Sequence, residues 1–265
     1  MRHARPVSKL PFSLAGVEAV VFDVDGVLRE RDVPVHGAAE TLARLTEAGI
    51  PYRLLTNTTS TSRARLAKDL EDVGFPVTRE QLFCPPHAAG EYLRRHGLSA
   101  LLLVQDSALE DFDGVARREE GADVVVVGDL EQGWTFDVLN QAFRMLHRDG
   151  ARLFGLGRSR YWKAPAGWQL DAGPFVAALE YAAGCEAEIF GKPEPAIFEG
   201  IIADLGLPAE RIAMVGDDIR SDVQAAMNVG MRGVLVRTGK FRDADLDAGF
   251  EPDLVLDSVN GMVAD

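Results

Sequence analysis

Two aspartates interrupt an apolar run near the start of the chain. In VFDVDGVL, residues 21–28, Asp23 and Asp25 lie one residue apart, directly after a buried-strand pattern. Residues two apart on an extended chain face the same side, and Gly26 permits a turn that a residue with a side chain would resist. The pattern predicts two carboxylates that converge on a ligand, and a pair of solvated turn acids is the alternative.

Two further stretches carry groups that bind anions. In LLTNTT, residues 54–59, Thr56 and Asn57 follow an apolar strand pattern, and they supply a hydroxyl, a carboxamide and backbone N–H groups ahead of a helix. In FGKPEP, residues 190–195, Lys192 precedes a proline suited to a helix start and offers a point charge to a phosphate. Ordinary helix capping and an ordinary surface lysine are the alternatives.

A fourth stretch concentrates carboxylates. In MVGDDIRSD, residues 214–222, Asp217, Asp218 and Asp222 follow Gly216 at the end of a strand pattern. Clustered carboxylates repel one another unless a cation lies between them, and Mg²⁺ takes one or two protein carboxylates together with waters and substrate phosphate. The alternative, acids favoured by a helix N-terminus, explains Asp218 and Asp222 better than Asp217.

Alternating strand and helix patterns position these stretches. At the two ends of the chain we predict strands at 19–22, 52–55, 212–215, 234–236 and 254–256, with helices at 38–48, 60–73, 195–205 and 223–229. Between them we predict strands at 100–104, 124–127 and 151–154, with helices at 87–95, 136–147 and 175–183. The fold class is therefore α/β, a doubly wound, Rossmann-like parallel sheet with a second α/β unit inserted in it. Ligands of such sheets bind outside the carboxyl ends of the strands, where three of the four stretches lie.

The composition and net charge of the chain argue against some classes of binding partner. The chain has 265 residues, 47% of them hydrophobic, and a net charge of −13 at pH 7, which disfavours nucleic acid and anionic membranes. No apolar run approaches the ~20 residues that span a bilayer, and the basic N-terminus lacks an apolar signal region. Cys84 and Cys185 form neither a metal-ligand spacing nor a disulfide framework. We therefore expect a cytoplasmic protein with no nucleic-acid or membrane partner.

The order of the four stretches is more specific than any one of them. Asp-x-Asp-Gly, Thr-Asn, Lys-Pro and Gly-Asp-Asp-x-x-x-Asp together resemble the haloacid dehalogenase superfamily, phosphatase branch, over residues 17–83 and 188–260. The resemblance implies a small phosphorylated substrate, Asp23 as the nucleophile that forms an aspartyl-phosphate, and Asp25 as the general acid and base.

The same resemblance implies a cofactor and supporting groups. Mg²⁺ would be held by the Asp23 carboxylate, the Asp25 backbone carbonyl and Asp217. Charge on the transferring oxygens would be stabilised by Thr56, Asn57 and Lys192. Asp218 and Asp222 would orient metal-bound waters or Lys192.

The long segment between Asn57 and Lys192 indicates which phosphatases of this superfamily the chain resembles. Much more chain separates Asn57 from Lys192 than a core sheet needs, which resembles the second (IIA-like) cap type of nucleotide phosphatases and 4-nitrophenylphosphatase-like enzymes. We predict a catalytic core of residues 1–83 and 188–265 and an α/β cap of residues 84–187. Relatives with this cap often pair through it, so the resemblance also implies a homodimer.

Two longer runs resemble a narrower group, the phospholysine phosphohistidine inorganic pyrophosphate phosphatases. They are GLGRSRYWKAPAGWQLDAGPFVAALEYAAG, residues 155–184, and GDDIRSDVQAAMNVGMRGVLVRTGKFR, residues 216–242. The chain departs from this group at Asp25, where the animal members have serine. The acid–base group of general phosphatases is thus kept, so the resemblance implies a phosphomonoester and leaves pyrophosphate and phosphoamidates open as substrates.

The first of these runs is rich in cations and aromatic rings: Arg158, Arg160, Tyr161, Trp162, Lys163 and Trp168. Cations suit phosphate or acidic groups, and aromatic rings suit a ring or an alkyl stem. We expect Arg158 and Tyr161 to select the substrate. A solvated basic loop whose aromatics pack into the cap is the alternative.

Other functions fit parts of this pattern. A dehalogenase needs neither Mg²⁺ nor the acid Asp25, and phosphomutases and related phosphotransferases usually carry the other cap type. A non-catalytic, phosphate-sensing module also gathers acids around Mg²⁺ on a doubly wound sheet. Such a module would not need Lys192 together with a large inserted domain.

Overall fold

The apolar strands pair into two main parallel sheets, and each sheet belongs to a separate unit. The computed structural model describes residues 16–164, 167–247 and 249–263. The first unit holds the described residues up to Leu55, Asp69–Leu82, and the described residues from Phe198 onward. The second unit holds Thr56–Lys68 and Phe83–Ile197. The predicted α/β class, with one unit inserted in the sequence of the other, is confirmed.

The elements follow one another in βα order for most of the chain. The strands are β1 (Ala19–Asp23), β2 (Arg29–Glu30), β3 (Val33–Pro34), β4 (Tyr52–Leu55), β5 (Leu82–Phe83), β6 (Ala100–Leu103), β7 (Val124–Val127), β8 (Arg152–Gly155), β9 (Tyr161–Ala164), β10 (Gly167–Leu170), β11 (Glu188–Ile189), β12 (Ile212–Gly216), β13 (Arg232–Val236) and β14 (Leu254–Leu256). The α-helices are α1 (Ala38–Glu47), α2 (Arg63–Asp72), α3 (Pro85–His96), α4 (Phe136–Arg148), α5 (Ala172–Ala183), α6 (Pro195–Leu205) and α7 (Ala225–Asn228).

The sheet of the first unit has the strand order β14-β13-β12-β1-β4-β5. β1 pairs in parallel with β12 on one side and β4 on the other. All residues of β1 and β12 are buried, as expected of parallel strands covered on both faces. The chain winds outward from β1 in both directions, so the sheet is doubly wound with its switch point between β1 and β12.

Helix boundaries follow from local capping. α1 buries Ala38, Leu42 and Leu45, which share one face at helical spacing. The helix predicted from residue 60 begins three residues later, at Arg63. The reason is that the Ser62 hydroxyl accepts a hydrogen bond from the Arg65 N–H at 3.3 Å, as an N-cap does.

The second unit has the parallel sheet β11-β8-β7-β6. β7 is four valines, all buried, and its side chains enter two apolar clusters. Val124 and Val126 pack with Phe112 and Phe154, and Val125 and Val127 pack with buried residues of α4 and α5. Each face of this sheet therefore has its own core.

The structure also differs from the sequence-based prediction at residues 161–170 and at the start of the helix predicted at 223–229. Residues 161–164 and 167–170, for which no strand was predicted, form the antiparallel hairpin strands β9 and β10, in which Trp168 pairs with Lys163 and Leu170 with Tyr161. The helix predicted at 223–229 begins earlier, as a π-helical turn over Ile219–Gln224, and α7 then ends at Asn228. Asp218 caps this turn through its side chain, which starts the helix four residues ahead of the apolar pattern.

The described ranges contain no helix that is both long and apolar enough to cross a membrane. Both cysteines are free thiols, Cys84 buried and Cys185 partly buried.

Candidate active site

Three buried carboxylates meet at the carboxyl edge of the first unit's sheet. Asp23 is the last residue of β1, Asp217 directly follows β12, and Asp222 lies in the π-helical turn. One carboxylate oxygen of each lies within 4.8 Å of the others, and their exposed fractions are 4%, 1% and 1%. The site therefore stands at the switch point between β1 and β12, where doubly wound sheets bind ligands.

The Asp217 carboxylate is held by backbone. Its Oδ2 accepts a hydrogen bond from the Lys240 N–H at 2.7 Å. Gly26 and Gly239 both approach so closely that a Cβ on either would collide with this oxygen, and both have a positive φ. The Thr238 hydroxyl, hydrogen-bonded to the Gly26 carbonyl, joins the two glycine turns.

Gly239 and Lys240 are not among the site residues predicted from the sequence. The available signal was a glycine beside a cation in RTGKFR, shortly after a strand pattern. The structure shows why these residues matter, because their backbone fixes the position of Asp217.

Asp25 lies apart from the buried group. Its side chain is half exposed, and its Oδ1 accepts a hydrogen bond from Arg29 Nε at 3.1 Å. The Gly26 N–H donates to the Arg29 carbonyl at 2.7 Å and closes the turn after β1. The carboxyl group of Asp25 is thus half exposed and paired with Arg29, outside the group of three buried carboxylates.

Asp218 and Asp222 differ in what they contact. Asp218 Oδ1 accepts hydrogen bonds from the Arg220 and Ser221 N–H groups, both at 3.0 Å, so its carboxylate caps the π-helical turn. Burial raises the pKa of Asp218, but these backbone N–H groups, together with the Ser221 side chain and the nearby Lys240, outweigh burial and hold the pKa below its usual range. The Asp218 N–H in turn donates to Asp222 Oδ2 at 3.2 Å. Asp218 therefore orients Asp222, and Asp222 joins Asp23 and Asp217.

The anion-binding candidates lie in the second unit. The hydroxyl of Thr56 lies 2.9 Å from the hydroxyl of Thr58 and accepts from the Thr58 N–H at 3.1 Å. Asn57 donates from Nδ2 to the Lys192 carbonyl at 3.0 Å and accepts at Oδ1 from the Lys192 N–H at 2.8 Å. The structure thus brings Asn57 and Lys192 together, and Lys192 is 7% exposed.

The loop after Thr56 is anchored to the turn at Asp106–Phe112. The Ser62 N–H donates to the Ser107 carbonyl at 2.8 Å, and the Ser62 hydroxyl donates to Glu110 Oε2 at 3.1 Å. The Ser107 hydroxyl donates to the Ser60 carbonyl, and Asp111 accepts from Arg63. The Thr56–Ser62 segment is therefore fixed at its downstream end.

The predicted substrate-selecting residues lie on and beside the β9–β10 hairpin. Arg158 makes a two-point ion pair with Glu180, with N–O distances of 3.1 and 2.7 Å. Tyr161 and Trp168 are exposed and pack edge to face with ring centres 5.2 Å apart. Arg160 lies 5.8 Å from the Tyr161 ring centre. Tyr161 and Trp168 thus offer an aromatic surface, whereas the guanidinium of Arg158 is already engaged.

The residues of the first unit fit a divalent cation. Asp23, Asp217 and Asp222 supply carboxylate oxygens alone, the donor type that Mg²⁺ prefers. Oxygens bound to one Mg²⁺ at about 2.1 Å lie about 3–4 Å apart, a spacing compatible with the observed group. Bringing buried carboxylates together raises the free energy of the fold unless positive charge compensates them. The donor set therefore matches the expected cofactor.

Comparison with known proteins gives the class of the chain. Residues 20–118 match the family model for haloacid dehalogenase-like hydrolases, and residues 189–262 match a HAD-hydrolase-like model. The chain is 41% identical over 229 residues to human haloacid dehalogenase-like hydrolase domain-containing protein 2, covering 86% of this chain and 87% of that protein. The chain belongs to the haloacid dehalogenase-like hydrolase family.

Two further similar proteins, one of them a solved structure, are named as phosphatases. The chain is 39% identical over 237 residues to the phospholysine phosphohistidine inorganic pyrophosphate phosphatase of Bos taurus, covering 88% of this chain and 87% of that one. It superposes on the crystal structure of a 4-nitrophenylphosphatase from Thermotoga maritima with a TM-score of 0.87 and 26% identity, covering 94% and 97% of the two chains. The chain is therefore an enzyme of the phosphatase branch, as its motifs predicted.

Proposed function

We propose that this enzyme is a Mg²⁺-dependent phosphatase that hydrolyses a small phosphorylated substrate through an aspartyl-phosphate. The observation that carries the proposal is the position of Asp23. It ends β1 at the switch point of the sheet and shares a buried site with Asp217 and Asp222. A carboxylate in this position is placed to act as a nucleophile, a role that carboxylates take in covalent catalysis.

The reaction proceeds in two displacements. In the first, a carboxylate oxygen of Asp23 forms a bond to phosphorus, the bond from phosphorus to the leaving atom breaks, and the carboxyl proton of Asp25 passes to that atom, which is oxygen in a phosphomonoester or pyrophosphate and nitrogen in a phosphoamidate. In the second, the Asp25 carboxylate takes a proton from water, the water oxygen bonds to phosphorus, and the bond to Asp23 breaks. Inorganic phosphate leaves, Asp23 is restored, and Asp25 is again protonated.

The buried carboxylates are the candidate ligands of Mg²⁺. We propose that Asp23, Asp217 and the backbone carbonyl of Asp25 hold Mg²⁺, with Asp222 beside them and Asp218 orienting Asp222. When bound, Mg²⁺ offsets the repulsion between an anionic nucleophile and an anionic phosphate. The oxygen-only donor set and its burial support this assignment.

Three residues of the second unit are candidates to stabilise the negative charge of the phosphoryl group. We propose that Thr56, Asn57 and Lys192 stabilise it, through a hydroxyl, a carboxamide and an ammonium group. The support is that Asn57 and Lys192 are hydrogen-bonded to each other and that Lys192 is buried, which suits a functional cation more than a surface one.

Residues on and beside the β9–β10 hairpin are the candidates for substrate selection. We propose that Tyr161 contacts the organic part of the substrate and that Arg158 supports the hairpin from its ion pair with Glu180. The related proteins are named for phospholysine, phosphohistidine, pyrophosphate and 4-nitrophenyl phosphate, so a phosphomonoester, pyrophosphate or a phosphoamidate are the candidate classes. The division into a core (1–83 and 188–265) and a cap (84–187), the homodimer and the cytoplasmic location stay predictions.

The test is turnover of 4-nitrophenyl phosphate with and without Mg²⁺, followed by a panel of phosphomonoesters, pyrophosphate and phosphoamidates ranked by kcat/KM. The proposal expects turnover that requires a divalent cation and stops on chelation. A protein that binds orthophosphate and Mg²⁺ but turns over no member of the panel would instead be a phosphate-sensing module.

A further inference from the structure

The Asn57 carboxamide pairs with the backbone of Lys192 in both directions. Asn57 Nδ2 donates to the Lys192 carbonyl at 3.0 Å, and Asn57 Oδ1 accepts from the Lys192 N–H at 2.8 Å. The two residues are 135 positions apart in sequence. The carboxamide thus pairs with this residue as a neighbouring backbone peptide would, and it fixes both peptide groups that flank the Lys192 Cα.

The backbone around Lys192 is closely packed against Asn57. A Cβ at Gly191 would lie 3.0 Å from Asn57 Oδ1 and 3.0 Å from the Leu156 carbonyl oxygen, so glycine permits the approach. The Glu194 N–H donates to the Gly191 carbonyl at 3.0 Å and closes a turn around Lys192. Lys192 itself is 7% exposed. The position of its Cα is therefore set by Asn57 from one side and by this turn from the other.

We infer that Asn57 is a positioning residue, which acts on the phosphate through Lys192 and not chiefly by its own contact. The inference rests on the proposed function, since it assigns Lys192 to the phosphate. One lone pair of the carboxamide oxygen and one of its N–H groups are committed to Lys192. A point charge is effective only where it is held in place, because small displacements of a catalytic group cost large factors in rate.

A double-mutant cycle separates this role from direct phosphate binding. Lys192→Ala is expected to lower kcat/KM by ~100- to 1,000-fold, the scale of losing one group that stabilises transition-state charge. Asn57→Ala is expected to lower it by ~10- to 100-fold. If Asn57 acts through Lys192, the double variant should lie within about 3-fold of Lys192→Ala alone, because residues that act as a unit are not additive.

The same set of variants is also compared by a binding measurement that does not depend on catalysis. Orthophosphate affinity, measured by isothermal titration calorimetry, should weaken in each single variant and weaken no further when Asn57→Ala is added to Lys192→Ala. The melting temperature of every variant is recorded, and Asn57→Ser replaces Asn57→Ala in the cycle if the alanine variant does not fold.

A matched control cycle combines Asn57→Ala with Asp25→Asn. Asp25 is assigned to proton transfer and not to Lys192, so the two fold-changes in kcat/KM should multiply. Multiplying effects in the Asn57–Lys192 cycle, or a control cycle that is equally non-multiplicative, would overturn the inference. An inactive wild-type enzyme that binds no orthophosphate would overturn the proposed function and this inference with it, and multiplying effects in an active enzyme would overturn the inference alone.

Discussion

The carboxylate of Asp111 holds Arg63 at the start of α2 by two hydrogen bonds. Its Oδ1 accepts from Arg63 Nε at 3.1 Å, and its Oδ2 accepts from the Arg63 N–H at 2.9 Å. The Asp111 side chain is 6% exposed and that of Arg63 is 18% exposed. Asp111 therefore both caps α2 and pairs with the guanidinium of Arg63, the residue that directly follows the Thr56–Ser62 segment.

Removing this acid should destabilise the protein. Asp111→Ala removes a buried acceptor from the Arg63 guanidinium and from a helix N–H, which we expect to lower the free energy of unfolding by about 2–4 kcal/mol. Asp111→Asn keeps one acceptor oxygen and should lose about half as much. Urea unfolding curves measure both. Asp113→Ala, at an exposed acid two residues away, is the control and should stay within about 0.5 kcal/mol of wild type. Equal stability of Asp111→Ala and wild type would contradict the assignment.

Mg²⁺ should stabilise the fold through Asp217. A ligand that binds only the native state adds about 2.7 kcal/mol at 100 times its Kd, which raises the Tm of a protein of this size by roughly 5–10 °C. Asp217→Asn should melt near or above metal-free wild type, because it removes one repelling charge and its carboxamide oxygen can still accept from Lys240.

The measurement is a set of melting curves for both proteins across a magnesium titration. Wild type should gain Tm with added Mg²⁺ and lose the gain on chelation, and Asp217→Asn should gain little. A variant that responds as strongly as wild type would show that Asp217 is not a metal ligand.

Stability of the second unit should depend on the protonation of His87. Burial and the nearby Arg63 lower the pKa of His87 from 6.5 to about 4. Between those values the unfolded chain binds a proton that the fold does not, so the free energy of unfolding falls as the pH drops through this window. The loss at pH 5 should be about 1 kcal/mol, less than full linkage gives, because solvent screens a half-buried ring.

Melting curves at pH 7.5 and pH 5 for wild type and His87→Gln test this point. Glutamine does not titrate, so the variant should lose less Tm between the two pH values than wild type does. Identical losses would place the acid sensitivity elsewhere.

The hairpin should govern substrate choice and leave the metal untouched. Tyr161→Ala and Trp168→Ala remove the exposed aromatic pair, and we expect changed KM values and a changed ranking across the phosphorylated panel. The Mg²⁺ concentration for half-maximal activity should not move. Arg158→Ala should resemble Glu180→Gln, since both break the same ion pair. Tyr181→Ala, at a ring 93% exposed on α5, is the control. An unchanged ranking for Tyr161→Ala and Arg158→Ala would remove the hairpin from substrate selection.

Much of the fold and part of the site were predictable from sequence. Residues 19–22 and 212–215 are uninterrupted apolar runs, which predicts buried strands of one parallel sheet with Asp23 and Asp217 at its carboxyl edge. The structure adds that β1 and β12 are neighbours in that sheet. These inferences need only local pattern and the rule that parallel strands share a carboxyl edge.

Other parts of the site depend on backbone geometry that no local pattern shows. Asp222, whose carboxylate lies within 4.8 Å of those of Asp23 and Asp217, is part of a π-helical turn, and a 3.6-residue period does not predict that turn. The two-way contact of Asn57 with Lys192 joins segments far apart in sequence. The β9–β10 hairpin was missed, although strand-forming aromatics flank a Pro-Ala-Gly turn signal in YWKAPAGWQL.

The most direct test of the covalent mechanism is steady-state turnover of purified Asp23→Asn enzyme, measured with Asp25→Asn and wild type on the best substrate of the panel. An amide cannot form the phosphoenzyme, so Asp23→Asn should show no turnover above background. Asp25→Asn should keep substrate binding and lose roughly 100- to 10,000-fold in kcat, the usual worth of general acid–base help. Appreciable steady turnover by Asp23→Asn would contradict the mechanism, since phosphate transfer would then proceed without the nucleophile at the end of β1.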